Sequence, residues 1–409
     1  MTDQPSSVVI VGGGLAGAKT AEALRAQGYR GPITIVGAER HAPYERPPLS
    51  KDYLAGKSDF DAALVHPADW YADHDIDLRL GAEAVAVRTT AHAVELADGE
   101  RLHYGALVLA TGSEPRVLPI SGAEHALTLR TREDSDAIKA CFGEGRRLIV
   151  IGAGWIGLEV AAAARGAGTD VTVLESAELP LLGVLGREMA TVFAQLHRDH
   201  GVDLQLGASI AEVVVDGERA VGVRLADGTE IAADAVVSGV GVRPRVELAG
   251  SAGLDVDNGV LVDASLRTSD PEIFAVGDIA NHDHPKLGRL RVEHWATALN
   301  QPATAAAAIL GGDAPYDNLP YFFSDQFDLG MEYVGHASPG SYAKVIVRGD
   351  LGPREFVAFW LDAEDRVLAA MNVNVWDVLD DIKPLIADGT PVDPDKLADP
   401  DVALTAVSR

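Results

Sequence analysis

Val8-Val9-Ile10-Val11-Gly12-Gly13-Gly14-Leu15-Ala16-Gly17 and Leu148-Ile149-Val150-Ile151-Gly152-Ala153-Gly154-Trp155-Ile156-Gly157 are two copies of one pattern. Each opens on four aliphatic residues in a row, the signature of a strand buried on both faces. Each runs through Gly-x-Gly-x-x-Gly into a helical stretch, 18–27 in the first copy and the alanine-rich 158–167 in the second. A β-branched strand follows, 33–36 and 171–174, with an acidic residue near its end, Glu39 and Glu175. Two βαβ units are therefore predicted.

The glycine spacing has a physical reading. Gly12 and Gly152 make the tight turn. Gly14 and Gly154 let main-chain N–H groups approach a pyrophosphate, and Gly17 and Gly157 let helix and strand pack closely, with the helix N-terminus toward the phosphates. Glu39 and Glu175 then stand where a ribose offers hydroxyls. Two such sites in one chain imply two dinucleotides, and the economical pair is FAD with NAD(H). Glu175 would repel a 2′-phosphate, and Ser176-Ala177-Glu178 supplies no arginine in its place, which favours NADH over NADPH.

The duplication extends further. Leu107-Val108-Leu109-Ala110-Thr111-Gly112 and Ala235-Val236-Val237-Ser238-Gly239-Val240-Gly241 are buried-strand runs, each followed by a Pro-Arg pair, 115–116 and 244–245. Residues 82–104 and 208–231 alternate around Asp-Gly turns and read as small antiparallel sheets. Ile273-Phe274-Ala275-Val276-Gly277-Asp278 is another short buried strand, whose terminal carboxylate either binds a polyol such as the flavin ribityl chain or caps the next turn. An alanine-rich helix covers 297–310. Beyond 315 the chain turns aromatic and strand-like, with a helical stretch over 376–387 and a loop-rich tail after Pro391 that holds a short helix. The expected organisation is α/β: an FAD-binding domain from 1–115 and 242–318, an NAD-binding domain at 116–241, and a C-terminal α+β domain at 319–409.

Composition narrows the function. At about 100–200 residues per domain, 409 residues suit two to four domains. A net charge of −27 argues against nucleic acid or an anionic membrane as the main partner. One cysteine, Cys141, excludes a disulfide framework, a CxxC zinc site and a dithiol redox pair within a single chain. Cys141 itself reads as a buried small hydrophobe. Residues 1–7 lack a signal-peptide pattern and no apolar run approaches about 18 residues, so a soluble cytoplasmic protein is expected. His282-Asp283-His284 has no further ligand set at metal spacing and reads as a loop, so no metal is expected. Neither GxSxG nor HExxH occurs.

Six further segments stand out: Pro43-Tyr44-Glu45-Arg46-Pro47-Pro48-Leu49-Ser50-Lys51, Leu129-Arg130-Thr131, Gly157-Leu158-Glu159, Thr268-Ser269-Asp270-Pro271-Glu272-Ile273-Phe274-Ala275-Val276-Gly277-Asp278, Val292-Glu293-His294-Trp295 and Phe323-Ser324-Asp325-Gln326, of which Arg46–Lys51 and Ser324–Gln326 are far more selective than the glycine motifs. With them the chain resembles, over nearly its whole length, the oxygenase-coupled NADH–ferredoxin reductases, the putidaredoxin reductase-like group of FAD-dependent pyridine nucleotide oxidoreductases. The resemblance implies a glutathione-reductase-like architecture. It implies that Lys51 lies near the flavin and pairs with Glu159 close to the nicotinamide, that Arg46 and Arg130 contact FAD phosphates or hold the adjoining loop, and that Pro47 and Pro48 stiffen that loop. Trp295 would begin a helix aimed at the pyrimidine side of the flavin. Ala16, Ala84, Thr111, Gly112, Gly277 and Asp278 would also belong to the FAD site, with Glu293, His294 and Phe323. Ile156 and Gly241 would join Gly152, Gly154, Gly157, Glu159 and Glu175 around NAD.

Disulfide reductases of similar architecture carry two cysteines beside the flavin and peroxide-reducing relatives one, in the place held here by residues 43–51, which contain none. Electrons must then leave the flavin for an external acceptor. The resemblance makes it a small [2Fe-2S] ferredoxin feeding a cytochrome P450 or a ring-hydroxylating oxygenase, with the reductase a monomer or a homodimer. Such ferredoxins are usually acidic, so a −27 reductase needs a local basic patch within the screening distance of about 8–10 Å. Lys286, Arg289 and Arg291 are the expected docking residues. Relatives often carry tryptophan where Phe323 stands and basic residues where Ala303 and Glu332 stand, so a smaller basic patch selective for its own ferredoxin is expected. Two other readings use the same cofactor residues: an NADH oxidase or quinone reductase without a protein partner, and an NADH-binding redox sensor of the apoptosis-inducing-factor type.

Overall fold

A computed structural model describes residues 4–409. The chain divides into two compact units. The first comprises Met1–Arg46, Phe60–Glu114 and Val242–Pro320, and the second Pro47–Asp59, Pro115–Gly241 and Tyr321–Arg409.

The first unit is built on a five-stranded parallel sheet in the order Ile273–Ala275, Ala106–Leu109, Val8–Val11, Ile33–Gly37, Ile76–Leu80. Val8–Val11 and Ala106–Leu109 are buried at every position, as strands covered on both faces must be. The helix Leu15–Ala26 buries Ala18, Ala21 and Leu24, whose spacing sets them on one face, and it packs beside the helix Trp295–Ile309. The inserted antiparallel sheet is Ala84–Arg88, Ala93–Leu96 and Arg101–His103, with Ala84 at its start.

One reading is corrected in this unit. His282-Asp283-His284 is not a loop: it ends the strand Ala280–His284, which pairs antiparallel with Gly288–Arg291. Alternation turns His282 and His284 inward, each 2% exposed, and leaves Asp283 in solvent. Histidine and aspartate are poor strand formers, and only pairing with 288–291 makes the segment extended. Among the described residues no cluster of three or more potential ligands could hold a metal ion.

The second unit has a four-stranded parallel sheet in the order Asp203–Leu206, Asp170–Glu175, Arg147–Ile151, Ala235–Ser238. Its helices include Trp155–Gly166 and Leu182–Asp199, the latter interrupted at Gly186, where φ is 75°. The inserted antiparallel sheet is Ile210–Asp216, Arg219–Leu225, Glu230–Ala232. The C-terminal part is a five-stranded antiparallel sheet, Tyr321–Gln326, Leu329–Gly335, Val367–Val373, Glu355–Leu361, Lys344–Asp350, followed by the helices Leu379–Asp388 and Pro394–Ala398.

The sequence reading has three domains where the structure forms two units. Residues 319–409 were expected to stand apart, yet Met331, Trp360 and Met371 share one apolar core with Leu148, Val150 and Phe193. Trp155 joins the two parts, edge-on to Phe193 at 5.5 Å and tilted against Phe322 at 5.1 Å between ring centroids. Segment 47–59, expected with the first domain, also belongs here. Ser135 Oγ donates to Leu49 O at 2.8 Å, and the Tyr53 hydroxyl donates to Asp136 Oδ1 at 2.6 Å. No helix among the described residues is long and apolar enough to cross a membrane.

Candidate active site

In the first unit the glycine motif forms a cradle that only glycine permits. A Cβ on Gly12 would fall 2.1 Å from Ala110 O, and one on Gly17 would fall 2.0 Å from Gly12 O. Gly12 also has φ of 130°, accessible to little else. Around Gly14, by contrast, nothing lies within 4 Å of a built Cβ. Gly14 is the N-cap of Leu15–Ala26 and offers no side-chain cap, so the first N–H groups of the helix face an open space. A tight turn beside an open, uncapped helix start fits a pyrophosphate.

Glu39 accepts from the Tyr44 hydroxyl and from Arg46 Nη2, the latter at 2.7 Å. Arg46 therefore holds the loop against Glu39. Burial opposes its charge, but Tyr44, Glu39 and Asp278 together keep its pKa above the ordinary value. Asp278 follows the strand Ile273–Ala275 in the turn Gly277–Ile279, and Gly277 N donates to Gln301 Oε1 at 2.8 Å. Gln301 carries no distinguishing signal in the sequence, being one of several polar residues, with Thr297, Asn300 and Thr304, in an alanine-rich helix. Thr111 Oγ1 donates to Arg245 O at 2.8 Å, and Gly112 takes φ of 68°. A Cβ on Gly277 would meet Ala16 Cβ at 3.1 Å. His294 caps the helix that Trp295 begins.

The expected docking triad loses a member. Arg291 Nη1 donates to Asp278 O at 2.9 Å and pairs with Glu293 Oε2 at 2.6 Å, leaving its side chain 7% exposed. Arg291 is a buttress of the Asp278 turn, because the hairpin that carries it folds its guanidinium inward. Lys286 and Arg289 are exposed, although Arg289 Nη1 also donates to Val262 O and Asn281 O.

The second unit repeats the cradle. A Cβ on Gly157 would lie 2.1 Å from Gly152 O, and one on Gly152 would lie 2.7 Å from Gly239 O. Gly154 is the uncapped N-cap of Trp155–Gly166, where a built Cβ would meet only Gly239 O at 3.9 Å, Ile156 is exposed, and Gly241 has φ of 96°. Glu175 Oε2 accepts from Ala153 N at 2.7 Å and Oε1 from Ala177 N at 2.8 Å. Its carboxylate is thereby set at the rim of the glycine turn, with lone pairs left for ribose hydroxyls.

Glu159, on the first turns of the same helix, is 3% exposed and meets Lys51 Nζ at 2.8 Å through Oε1. Ser324 Oγ donates to the same oxygen at 2.6 Å, and Ser50 Oγ to Oε2 at 2.5 Å. Lys51 Nζ also sits 5.2 Å from the Phe323 ring centroid. A carboxylate so deeply buried is tolerable only with such partners. Asp325 lies near both: burial raises its pKa, Lys51 opposes the rise, and Glu159 and Asp52 add to it. Ser50 and Ser324 lie inside segments that the sequence singled out, without a role of their own. Arg130 precedes the helix Arg132–Lys139, where its main-chain N donates to Asp134 Oδ2 at 3.0 Å. Cys141 is half-buried, donates to Ala137 O and has its thiol pKa raised by burial.

Residues 6–302 match the family model described as pyridine nucleotide-disulphide oxidoreductase, and residues 321–408 match the reductase C-terminal model. The ferredoxin–NAD(+) reductase component of the anthranilate 1,2-dioxygenase system of Burkholderia cepacia is 44% identical, over 97% of this chain and 98% of that protein. Putidaredoxin reductase of Pseudomonas putida is 41% identical, over 98% and 96%. The crystal structure of the covalent putidaredoxin reductase–putidaredoxin complex superposes with a TM-score of 0.92, at 40% identity and 98% coverage of both chains.

Proposed function

Because the chain belongs to the pyridine nucleotide-disulphide oxidoreductase family, we propose that it is an FAD-containing, NADH-dependent reductase of a [2Fe-2S] ferredoxin serving a cytochrome P450 or ring-hydroxylating oxygenase in the cytoplasm. The observation that carries this reading is the ion pair between buried Glu159 and Lys51, the last residue of the cysteine-free segment 43–51. The reductases of dioxygenase and putidaredoxin systems among its relatives support the choice of carrier.

When bound, FAD supplies the conversion between the two electrons of a hydride and the single electrons an iron–sulfur carrier takes. The first cradle would hold the FAD pyrophosphate on the N–H groups after Gly12 and Gly14, with Glu39 for the ribose and Asp278 for the ribityl chain. The second cradle holds NADH, with Glu175 for the free 2′-hydroxyl. Lys51 would supply a fixed ammonium to stabilise the negative charge of a reduced flavin, and Glu159 holds that ammonium in place. With no thiol in 43–51, nothing intercepts the electrons as a disulfide.

Anaerobic stopped-flow reduction by NADH and by NADPH, followed by mixing with oxidised ferredoxins, tests the reading. Fast reduction by NADH and fast onward transfer to a ferredoxin are expected. Oxygen consumption faster than transfer to any ferredoxin would mark an oxidase. A long-lived NADH–reduced-flavin complex with little turnover would mark a sensor.

A further inference from the structure

The buried polar groups at Glu159 continue well beyond Lys51. Ser324 Oγ, which donates to Glu159 Oε1, itself lies 3.1 Å from Gln326 Nε2. Gln326 Oε1 lies 2.9 Å from His197 Nε2. Ser324, Gln326 and His197 are all buried. Strand alternation puts Ser324 and Gln326 on one face of Tyr321–Gln326, and Gln326 reaches His197 near the end of Leu182–Asp199.

The chain of bonds has only one consistent direction. A carboxylate only accepts, so the Ser324 proton points at Glu159, and the Ser324 oxygen must accept from the Gln326 amide nitrogen. The Gln326 oxygen must then accept, which requires the His197 proton on Nε2. Nδ1 is left bare, and it is buried without a partner. Burial, with His200 nearby, pushes the His197 pKa down to about 4 despite the bond to Gln326, so the ring is neutral at pH 7.

We propose that Gln326 and His197 are positioning residues of the hydride-accepting centre, acting through Ser324 to hold the Glu159 carboxylate in the rotamer that pairs with Lys51. The role rests on the function proposed above for that pair. Three donors from two pieces of chain, 50–51 and 324, define the carboxylate plane: Lys51 and Ser324 on Oε1, Ser50 on Oε2. Cutting the relay at Gln326 leaves the Ser324 hydroxyl without its second anchor. A hydrogen bond to a charged group is stronger than one between neutral groups, and chains of hydrogen bonds strengthen one another, so the neutral Gln326–Ser324 bond supports the charged Ser324–Glu159 bond.

The test uses the FAD-loaded protein, reduced anaerobically by NADH with no ferredoxin present. In Ser324→Ala and Gln326→Leu, flavin reduction at saturating NADH is expected to slow roughly tenfold with the NADH Kd unchanged. Ser324→Thr, which keeps the hydroxyl, is expected to recover to within about twofold. A second readout is independent of turnover. The 15N spectrum of wild-type His197 is expected to show the neutral Nε2–H form at pH 7, and the flavin midpoint potential to shift in the same direction in Ser324→Ala and Gln326→Leu as in Glu159→Gln. Melting temperature and FAD content identify folded variants; should Gln326→Leu not load FAD, Ser324→Ala, which removes a single oxygen, carries the comparison. Folded variants with the wild-type rate and potential overturn the proposal, as does a His197 proton on Nδ1. A wild-type protein that NADH does not reduce overturns the parent reading and this role with it, while the 15N result still decides the hydrogen-bond chain.

Discussion

Arg291 Nη1 donates to the main-chain oxygen of Asp278 at 2.9 Å, tying a cation of the hairpin to the turn that carries the expected ribityl ligand. Arg291→Ala removes that tie and the pairing with Glu293. Hydrogen bonds from a charged group contribute about 1.5–3 kcal/mol, so FAD retention should fall by roughly one to two orders of magnitude. Fluorescence of released FAD during a thermal ramp measures it. Retention equal to wild type would sink the buttress role.

Lys286 and Arg289 remain as the exposed basic residues of the proposed docking surface. Lys286→Glu is the cleaner probe, because Arg289 also holds two main-chain oxygens. The apparent KM for the native ferredoxin should rise several-fold at low salt, and the difference should fade toward about 0.15 M, where screening acts over about 8 Å. An unchanged KM at low salt removes this patch.

Gly17→Ala and Gly157→Ala should separate the two cradles. Each places a Cβ about 2 Å from a main-chain oxygen, at Gly12 O and Gly152 O respectively. Gly17→Ala should yield protein poor in FAD. Gly157→Ala should keep FAD, with its visible spectrum, but lose reduction by NADH. Equal NADH affinity in Gly157→Ala and wild type would refute the second assignment.

Glu175→Gln keeps the shape of the side chain and removes its charge. Discrimination for NADH over NADPH should fall by at least tenfold, since the repulsion of a 2′-phosphate is lost. The ratio of the two kcat/KM values reads this directly, and an unchanged ratio rejects Glu175 as the discriminating residue.

His197 and His282 each have a pKa lowered from 6.5 to about 4, mainly by burial. Both are neutral in the fold, while the unfolded chain takes up protons near pH 6.5. Their contribution is therefore fully present above that pH, is lost as pH falls from about 6.5 to about 4, and then levels off. Each contributes about 3 kcal/mol over that window. Urea unfolding of wild type and of His282→Leu at pH 7 and pH 4.5 checks this; the variant should lose less stability between them. Parallel losses would refute the buried neutral state of His282.

Much of the architecture was legible in local sequence. Continuous apolar runs at 8–11, 106–109 and 148–151, each short and closed by a glycine-containing turn, read as strands covered on both faces. The glycines at 12, 17, 152 and 157 could be read because each is demanded by a contact within a few residues of itself or by a neighbouring strand end. The pair Lys51–Glu159 came through resemblance, and its partners did not. Ser50 and Ser324 are ordinary serines until the chain brings residues 50, 159 and 324 together, and His197 carries no local signal at all.

What the sequence determined by itself is the set of local periods and turns: two dinucleotide cradles, their acidic companions, and the absence of a second thiol. Tertiary structure decided which cations face solvent and which face main-chain oxygens, which separated Arg291 from Lys286. It decided that 280–284 is a strand, because an extended segment of weak formers needs a partner to pair with. It decided that Glu159 is held from Ser50, Lys51 and Ser324, since burying a carboxylate requires donors at hydrogen-bond distance and only the fold sets distances between residues more than a hundred positions apart.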